Sequence, residues 1–365
     1  CQRIAEKTGL NREQILLNSA HTHNGPLLSL DPAPRDNGMT AGDVQRTLAY
    51  TKQLQDKVVE VVIQANQKLE PAELSWGTGI VHFVMNRRVF TPTGVNFGPN
   101  PRGLADRSVP VLRIDSPEGK PRAVLFGAAV HNTTLRPQHY DICGDYAGFA
   151  QLHLQQQHPG VQAMFMLGCA GDADPYPHGT MDLAREHGAS LGKEVGRVMT
   201  TKLQPVRGPL KVAFTQVELP LQEPPPRAEL EKQAATKRGV PSWIAQEMLK
   251  RLDRGEKLPT HYRAPQAVWQ FGNDLTLVAL SGEVVVDYVP LLEKALGPTR
   301  LWIAAYSNDV FGYVPSARIL SEGGYETRGI YDGGIGIFDA KVQDVLVNAV
   351  RELAEKAGRE LPVRR

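Results

Sequence analysis

Two histidines, His21 and His23, stand two residues apart in the stretch Ile15 to Pro26, ILLNSAHTHNGP, directly after an apolar run. On an extended strand, whose side chains alternate with a period of two, such a pair turns both imidazoles to one face. Two imidazoles at a strand end can share a metal ion, or one can bind it while its neighbour moves protons. A pair of half-exposed histidines capping the strand would read the same way on this stretch alone. A second apolar run, Ala123 to His131 (AVLFGAAVH), delivers another histidine at its exit, followed by polar Asn132, Thr133 and Thr134. Glu283 closes the run LTLVALSGE, and Tyr313 lies in SNDVFGYVP, residues 307–315. Zinc takes imidazole nitrogen and carboxylate oxygen, and a hydrolytic site leaves a position for water, whose proton is then easier to remove near neutral pH. Asp172 and Asp174 sit in the Gly-rich turn GCAGDADPYP, residues 168–177, where an aspartate more often caps the loop. These groups lie far apart along the chain, so only the fold can bring them together.

The elements that must do so are predicted as follows. Ile15 to Asn18 reads as a buried strand, and Leu27 to Met39 as a loop. A helix over Gln2 to Lys7 ends at Gly9, and a long amphipathic helix spans Ala41 to Leu69, with Val44, Leu48, Leu54, Val58, Val61 and Ile63 near helical spacing. Leu74 to Val84 reads as a strand feeding Asn86-Arg87-Arg88, and Thr91 to Arg102 as a loop dense in Pro, Gly and Asn. Val109 to Ile114, the nearly all-apolar run ending at His131, and Val161 to Leu167 are further strands. Asp145 is the expected N-cap of a helix through Gln157, and Met181 to Leu203 is another helix. After a strand at Leu210 to Leu219, Glu223-Pro224-Pro225-Pro226 opens an excursion with two charged helices, Arg227 to Lys237 and Ser242 to Asp253, read as a helical insertion at 223–260. Gln266 to Phe271 and Leu275 to Leu280 form a hairpin across Gly272-Asn273-Asp274. A helix from Val284 to Leu296, a strand at Leu301 to Tyr306, a Gly-rich segment from Gly323 to Gly336 and a closing helix to about Ala357 complete the chain. The fold class is therefore α/β, with mixed β-sheets covered by helices and a metal site at strand ends, in a single domain over 1–365.

Composition narrows the partners. Forty-one basic residues against thirty-nine acidic ones leave a formal charge of +2 with no block of like charge, which argues against nucleic acid and an anionic membrane surface. Three cysteines, Cys1, Cys143 and Cys169, are odd in number and far apart, so neither a disulfide framework nor a close-spaced thiolate zinc knuckle fits. Any metal must then be held by nitrogen and oxygen. No apolar run approaches the ~20 residues of a transmembrane helix. The chain opens without methionine inside an expected helix, so its true start is expected to be absent, and the lack of a signal peptide carries no information on compartment.

The stretch AHTHNGP resembles the Thr-His-Thr-His-Ser-Gly-Pro signature of the neutral (non-lysosomal) ceramidase family, and Asn86-Arg87 resembles its Asn-Arg motif. Ala128 to His131 is similar to the family's apolar strand ending in a metal-binding histidine. Gly171-Asp172 with Pro175 resembles its Gly-Asp-x-x-Pro loop, and Ser281-Gly282-Glu283 its Gly-Glu strand end. Ser307-Asn308, Tyr313-Val314 and Tyr325-Glu326 match, in order, its Ser-Asn, Tyr-Val and Tyr-Glu pattern. The resemblance runs over nearly the whole chain. It implies a zinc amidase acting on ceramide or a related N-acyl amine, in which His21, His131, Glu283 and Tyr313 hold Zn2+. His23, Arg87 and Tyr325 would surround the scissile carbonyl, with Glu283 available to take a proton from the zinc-activated water. Arg87 or Tyr325 would hold the oxyanion, and His23 would protonate the leaving amine. The family's exported members imply a secreted or periplasmic enzyme.

Where the family has a Gly-Asp-x-Ser-Pro serine, this chain has Asp174, which removes a hydroxyl and installs a charge, weakening ceramide as the substrate. The family's opening strands are missing, and no C-terminal immunoglobulin-like domain is expected after the closing helix. The remaining histidines, among them His139 and His178, are expected to be surface or packing residues. Two other readings stay open. A metal-dependent amidohydrolase barrel also begins with His-x-His at a strand end, but it needs eight strand-helix units. A catalytically silent relative would bind a glycan or lipid head group.

Overall fold

Apolar residues occupy both faces of most strands, and each face finds its own cover. The structure, a computed structural model, describes residues 1–30, 39–236, 240–331 and 334–362. It opens with α1 (Gln2–Thr8), closed by Gly9 in the left-handed region, and α2 (Ala41–Gln67), capped by Thr40, whose side chain accepts from Asp43 N. Strands β1 (Glu73–Ile80), β2 (Val84–Thr91), β3 (Gly94–Asn100), β4 (Ser108–Asp115) and β5 (Pro121–Ala128) follow. Then come α3 (Asp145–Gln157), β6 (Gln162–Leu167), β7 (Ala173–Pro175) and α4 (Met181–Met199). The second half begins with β8 (Gln204–Val206), β9 (Leu210–Pro220), α5 (Arg227–Ala235), α6 (Val240–Asp253), β10 (His261–Phe271) and β11 (Leu275–Ala279). It ends with β12 (Glu283–Val284), α7 (Tyr288–Leu296), β13 (Leu301–Ala304), β14 (Tyr313–Val314), α8 (Ala317–Glu322) and α9 (Val342–Lys356).

One sheet runs in the order β6-β5-β4-β1-β8 and a second in the order β13-β11-β10-β9. Val111, Val124, Phe126 and Ala163 on one face of the first sheet pack with Ala150, Leu154, Leu191 and Val195 of α3 and α4. Trp76, Leu112 and Met166 on its other face meet Leu275, Leu277 and Trp302 of the second sheet. Beyond that sheet, Val268 and Val278 pack with Leu292 of α7 and Leu346 and Val350 of α9. Alternation along the strands thus produces four layers, helices outside and two sheets face to face. The rings of Trp76 and Trp302 lie 5.9 Å apart in the middle layer. Truncating either to alanine would cost about 3–5 kcal/mol. Helices α5 and α6 close a smaller cluster of Leu230, Ile244, Ala245 and Met248 with Ile335. Among the described residues no helix is long and apolar enough to cross a membrane.

Each large sheet contains one parallel pair, β5 with β6 and β11 with β13, amid antiparallel neighbours. Parallel neighbours leave a sheet at the same edge, so the segments after these four strands emerge together, where open α/β sheets commonly bind ligands. Backbone bonds tie the exits together, two within the sheets and one between them. Gly168 N donates to Ala128 O at 3.0 Å, Ala305 N to Leu167 O at 3.0 Å, and Leu280 N to Ala304 O at 2.8 Å. The arrangement is not an eight-stranded barrel: the described strands fall into sheets of five, four, three and two.

Several local expectations are corrected. Ile15 to Asn18 is no strand: its one bridge joins Asn18 to Ser307, a second joins Thr22 to Asn132 further on, and Asn308 N donates to Leu17 O at 2.7 Å. The Asn18 amide does the work of a strand pair, donating to Ala305 O at 2.7 Å and accepting from Leu167 N at 2.9 Å. Thr91 to Arg102 is not all loop, because β3 pairs with β2 as an edge strand, where its Pro99 is tolerated. Arg87 and Arg88 lie within β2 rather than after a strand. Gly144, not Asp145, caps α3; the Asp145 carboxylate accepts from Leu135 N and Tyr146 N instead. The helix after Glu283 begins only at Tyr288, because Glu283–Val284 pairs in parallel with Tyr313–Val314. Residues 31–38 of the expected loop at 27–39, position 237 at the end of the first charged helix, and 332–333 in the Gly-rich segment lie outside the described residues.

Candidate metal centre and substrate cavity

The exits of the parallel strands bring His21, His23, His131 and Glu283 together. One nitrogen from each of the three imidazoles lies within 4.8 Å of the others. His131, three residues beyond β5, is fully buried, and its Nδ1 sits 2.6 Å from Ala170 O, so that nitrogen carries the hydrogen and Nε2 is left as an acceptor. Facing it at 3.0 Å is Glu283 Oε2, which is also 3.2 Å from His21 Nε2. His21 Nε2 is in turn 3.2 Å from His23 Nε2.

Glu283 is 1% exposed. Its Oε2 accepts from the Tyr306 hydroxyl at 3.3 Å and its Oε1 from the Tyr331 hydroxyl. Burial alone would raise its pKa, but the adjoining His131 and His21 imidazoles outweigh that and hold it well below the usual carboxylate range. Burial, and after it the Arg87 charge, lowers His131 and favours its neutral form. A buried carboxylate therefore faces the acceptor nitrogen of His131 with no lysine or arginine paired to it among the described residues, which is costly unless a cation joins the group. Imidazole nitrogen and carboxylate oxygen are the donors zinc takes in hydrolytic sites, so the residues present fit such an ion.

The chain bends sharply to build this centre. His21, Tyr306 and Asn308 all adopt positive φ, 55°, 51° and 67°, a conformation that non-glycine residues keep only where the surroundings impose it. Gly171 lets the loop after β6 press on the Glu283 backbone; a Cβ there would lie 2.6 Å from Glu283 O. Gly282, at φ 82°, would collide with Val314 and Phe311 if it carried a side chain.

In front of the centre lies a cavity of about 440 Å³ lined by His23, Arg87, Arg136, Asp174, Tyr313 and Tyr325, among others. His21, His131 and Glu283 do not line it. Arg87, 3% exposed, donates from Nε to Glu326 Oε1 at 3.0 Å, from Nη1 to Asp174 Oδ1 at 3.2 Å and from Nη2 to the Tyr313 hydroxyl at 3.0 Å. Its guanidinium stands 4.8 Å from the Phe97 ring and 5.6 Å from the Tyr325 ring. Arg88 reaches the same Glu326 from Nη1 at 2.6 Å, because a register shift between Asn86 and Arg88 lets both arginines converge on one carboxylate. Asp172 is buried, accepting from Val286 N at 2.7 Å and from the Asn86 amide at 3.0 Å, and burial pushes its pKa up to about 6.

The sequence-derived residues thus divide in two. His21, His131 and Glu283 form the buried centre, while His23, Arg87, Tyr313 and Tyr325 line the cavity. Tyr313 makes no hydrogen bond to Glu283 or to the imidazoles; its hydroxyl goes to Arg87. Sequence reasoning missed Tyr306, Tyr331 and Glu326. Glu326 was in view as part of the Tyr-Glu pair, but nothing local marks it as the shared partner of two arginines. His139 and His178, expected to be ordinary surface or packing residues, line this cavity and the adjoining one respectively.

No family model matches the chain. Among curated proteins it is 26% identical over 168 residues to neutral ceramidase A of Dictyostelium discoideum, a match covering 44% of this chain and 22% of that protein. It is 27% identical over 185 residues to neutral ceramidase B of the same organism, covering 45% and 24%. Two solved structures, one described as ceramidase complexed with C2 and one as neutral ceramidase from Pseudomonas aeruginosa, share the fold over all of this chain. Their TM-scores are 0.67 and 0.64, each at 18% identity and 65% of the solved chain. The matched stretches span about a quarter of the curated relatives and about two thirds of the solved chains. In sequence and in fold, the chain is neutral-ceramidase-like.

Proposed function

We propose that the chain is a zinc-dependent amidohydrolase that cleaves the N-acyl amide bond of ceramide or a related N-acyl amine. One observation carries this reading: imidazoles converge on a buried carboxylate that, among the described residues, no lysine or arginine pairs with, directly behind a cavity lined by His23, Arg87 and Tyr325. His21, His131, Glu283 and, as the resemblance implies, Tyr313 would hold the ion. A bound zinc ion would polarise the carbonyl and make water easier to deprotonate.

The remaining chemistry belongs to the cavity wall. His23, the imidazole of the cluster that faces the cavity, takes a proton from the attacking water and passes it to the amide nitrogen as the C–N bond breaks. Arg87, fixed by Glu326 and Asp174, or Tyr325 donates to the carbonyl oxygen as charge develops there. Proton transfer falls to His23 rather than to Glu283, because both Glu283 oxygens are already engaged and the residue does not line the cavity. We read residues 1–365 as one catalytic domain, with 223–260 as a helical insertion.

The test is the release of free amine from N-acyl amines by protein whose zinc content has been measured. One zinc per chain, and amine release abolished by a chelator and restored by zinc, is the expected result. Protein that binds no metal and releases no amine would leave only a binding role.

A further inference from the structure

The cavity contains a cation that the hydrolytic machinery does not use. Arg136 follows His131 in the segment that forms one wall, and it is half-buried. Its Nε donates to His178 Nδ1 at 3.0 Å, and its Nη2 lies against the other nitrogen of the same ring. Burial and the Arg136 charge both lower the pKa of His178, so the ring stays a neutral partner. Among the described residues Arg136 forms no ion pair. The nearby carboxylates direct their ion pairs elsewhere: Asp174 through Oδ1 to Arg87, and Glu326 to Arg87 and Arg88. Asp141 lines the same cavity from an exposed position and does not pair with Arg136. Arg136 also borders the adjoining cavity of about 330 Å³, which shares Arg87, Phe97 and Asp174 with the first.

A half-enclosed guanidinium hydrogen-bonded to a neutral ring, and to no carboxylate among the described residues, is a ready seat for a planar anion, and a carboxylate matches its fork with two parallel hydrogen bonds. We infer that Arg136 binds a carboxylate on the amine half of the substrate, so that the preferred substrates are N-acyl amino acids rather than N-acyl amino alcohols. The inference rests on amide hydrolysis at this site and narrows its substrate class. Asp174 supports the same polarity. Its Oδ1 accepts from Arg87 Nη1 and Thr133 Oγ1, each at 3.2 Å, while Oδ2 makes no hydrogen bond among the described residues. Water adds across the amide, hydroxyl to the acyl carbon and proton to the nitrogen; the released amine takes up one further proton from solvent and the new acid loses one. The amino acid so formed carries an ammonium and a carboxylate, and the cavity offers Asp174 and Arg136 to them. An amino alcohol would leave Arg136 without an anion.

Three amides with one acyl chain test this: N-octanoylglycine, N-octanoylethanolamine and N-octanoyl-ethylenediamine, which end in an anion, a neutral hydroxyl and a cation. With zinc-loaded protein, kcat/KM for the glycine amide should exceed that for the ethanolamine amide by roughly tenfold to a hundredfold, the worth of one hydrogen-bonded charge pair. Arg136→Gln should collapse that ratio through KM, Arg136→Lys should keep most of it, and Arg136→Glu should turn the preference toward the ethylenediamine amide. Titration calorimetry of N-octanoylglycine into metal-free protein gives a readout free of catalysis, with binding expected in wild type and lost in Arg136→Gln. Equal or faster cleavage of the ethanolamine amide, or a preference that survives Arg136→Gln, overturns the inference while leaving amide hydrolysis intact. Cleavage of none of the three overturns both.

Discussion

Replacing Glu326 by alanine removes the carboxylate that Arg87 Nε and Arg88 Nη1 share at 3.0 and 2.6 Å. All three residues are at least 97% buried, so water cannot take over the lost bonds without opening the structure. Neither arginine is left bare, since Arg87 keeps Asp174 at 3.2 Å and Arg88 keeps Glu322 at 3.0 Å and Gly323 O at 2.8 Å. Two hydrogen bonds to charged groups are worth about 1.5–3 kcal/mol each, and removing one member of a buried ion pair costs about 3–5 kcal/mol. Together they bracket the loss at about 3–5 kcal/mol, and the second anion that each guanidinium retains keeps it from rising higher. Unfolding entropy of about 2.1 cal/mol/K per residue gives about 0.8 kcal/mol/K for a chain of this length, so the melting temperature should fall by roughly 4 to 7 °C. Calorimetric or fluorescence melting of metal-free Glu326→Ala beside wild type measures it. Zinc content should stay near one per chain while kcat drops, because Arg87 loses an anchor and the metal ligands do not. A variant that melts within a degree of wild type would refute the claim that this carboxylate neutralises two buried cations.

Three further outcomes are expected. His21→Ala should lose bound zinc on dialysis, as read by elemental analysis, together with the stabilisation zinc confers on wild type, about 2.7 kcal/mol when free zinc is a hundredfold above its Kd. Gly171→Ala should weaken zinc affinity tenfold or more in chelator competition, because its Cβ would meet backbone at Glu283 O and displace the carboxylate's own residue. Asp172, with its pKa near 6 in the folded protein against 3.8 for the free side chain, holds a proton that the unfolded chain has already released between those two values. Its burial therefore costs nothing below about pH 4, and the penalty grows as pH rises to about 6 and then levels at about 3 kcal/mol. In metal-free protein, the stability of Asp172→Asn relative to wild type should rise by about that amount over the same interval; a difference independent of pH would show that Asp172 titrates normally.

Much of the site was legible as candidates because short-range pattern marks where strands end. His131 follows a run of apolar residues, Glu283 another, and a polar group directly after a buried strand has to lie at a sheet edge. His21 and His23 could be singled out by spacing, although the reason given for it was wrong. They do not alternate on a strand; His21 turns through a positive φ, and the imidazoles meet because Asn18 and Thr22 clip the segment across two strand exits. Tyr306, Tyr331 and Glu326 could not be found this way. Each is an ordinary residue in its own neighbourhood and gains a role only from side chains 23, 48, 238 or 239 positions away.

What the order of residues decided by itself was where helices and most strands form, since alternation, turn residues and caps act over a few positions. It also decided that any metal would be held by nitrogen and oxygen. Which strands run parallel, and hence which exits share an edge, was settled only when the two sheets packed face to face through Trp76 and Trp302. That pairing is a matter of burying apolar faces, which no single stretch encodes. It makes neighbours of His21, His131 and Glu283, and it leaves Arg136 on the cavity wall with no ion pair among the described residues.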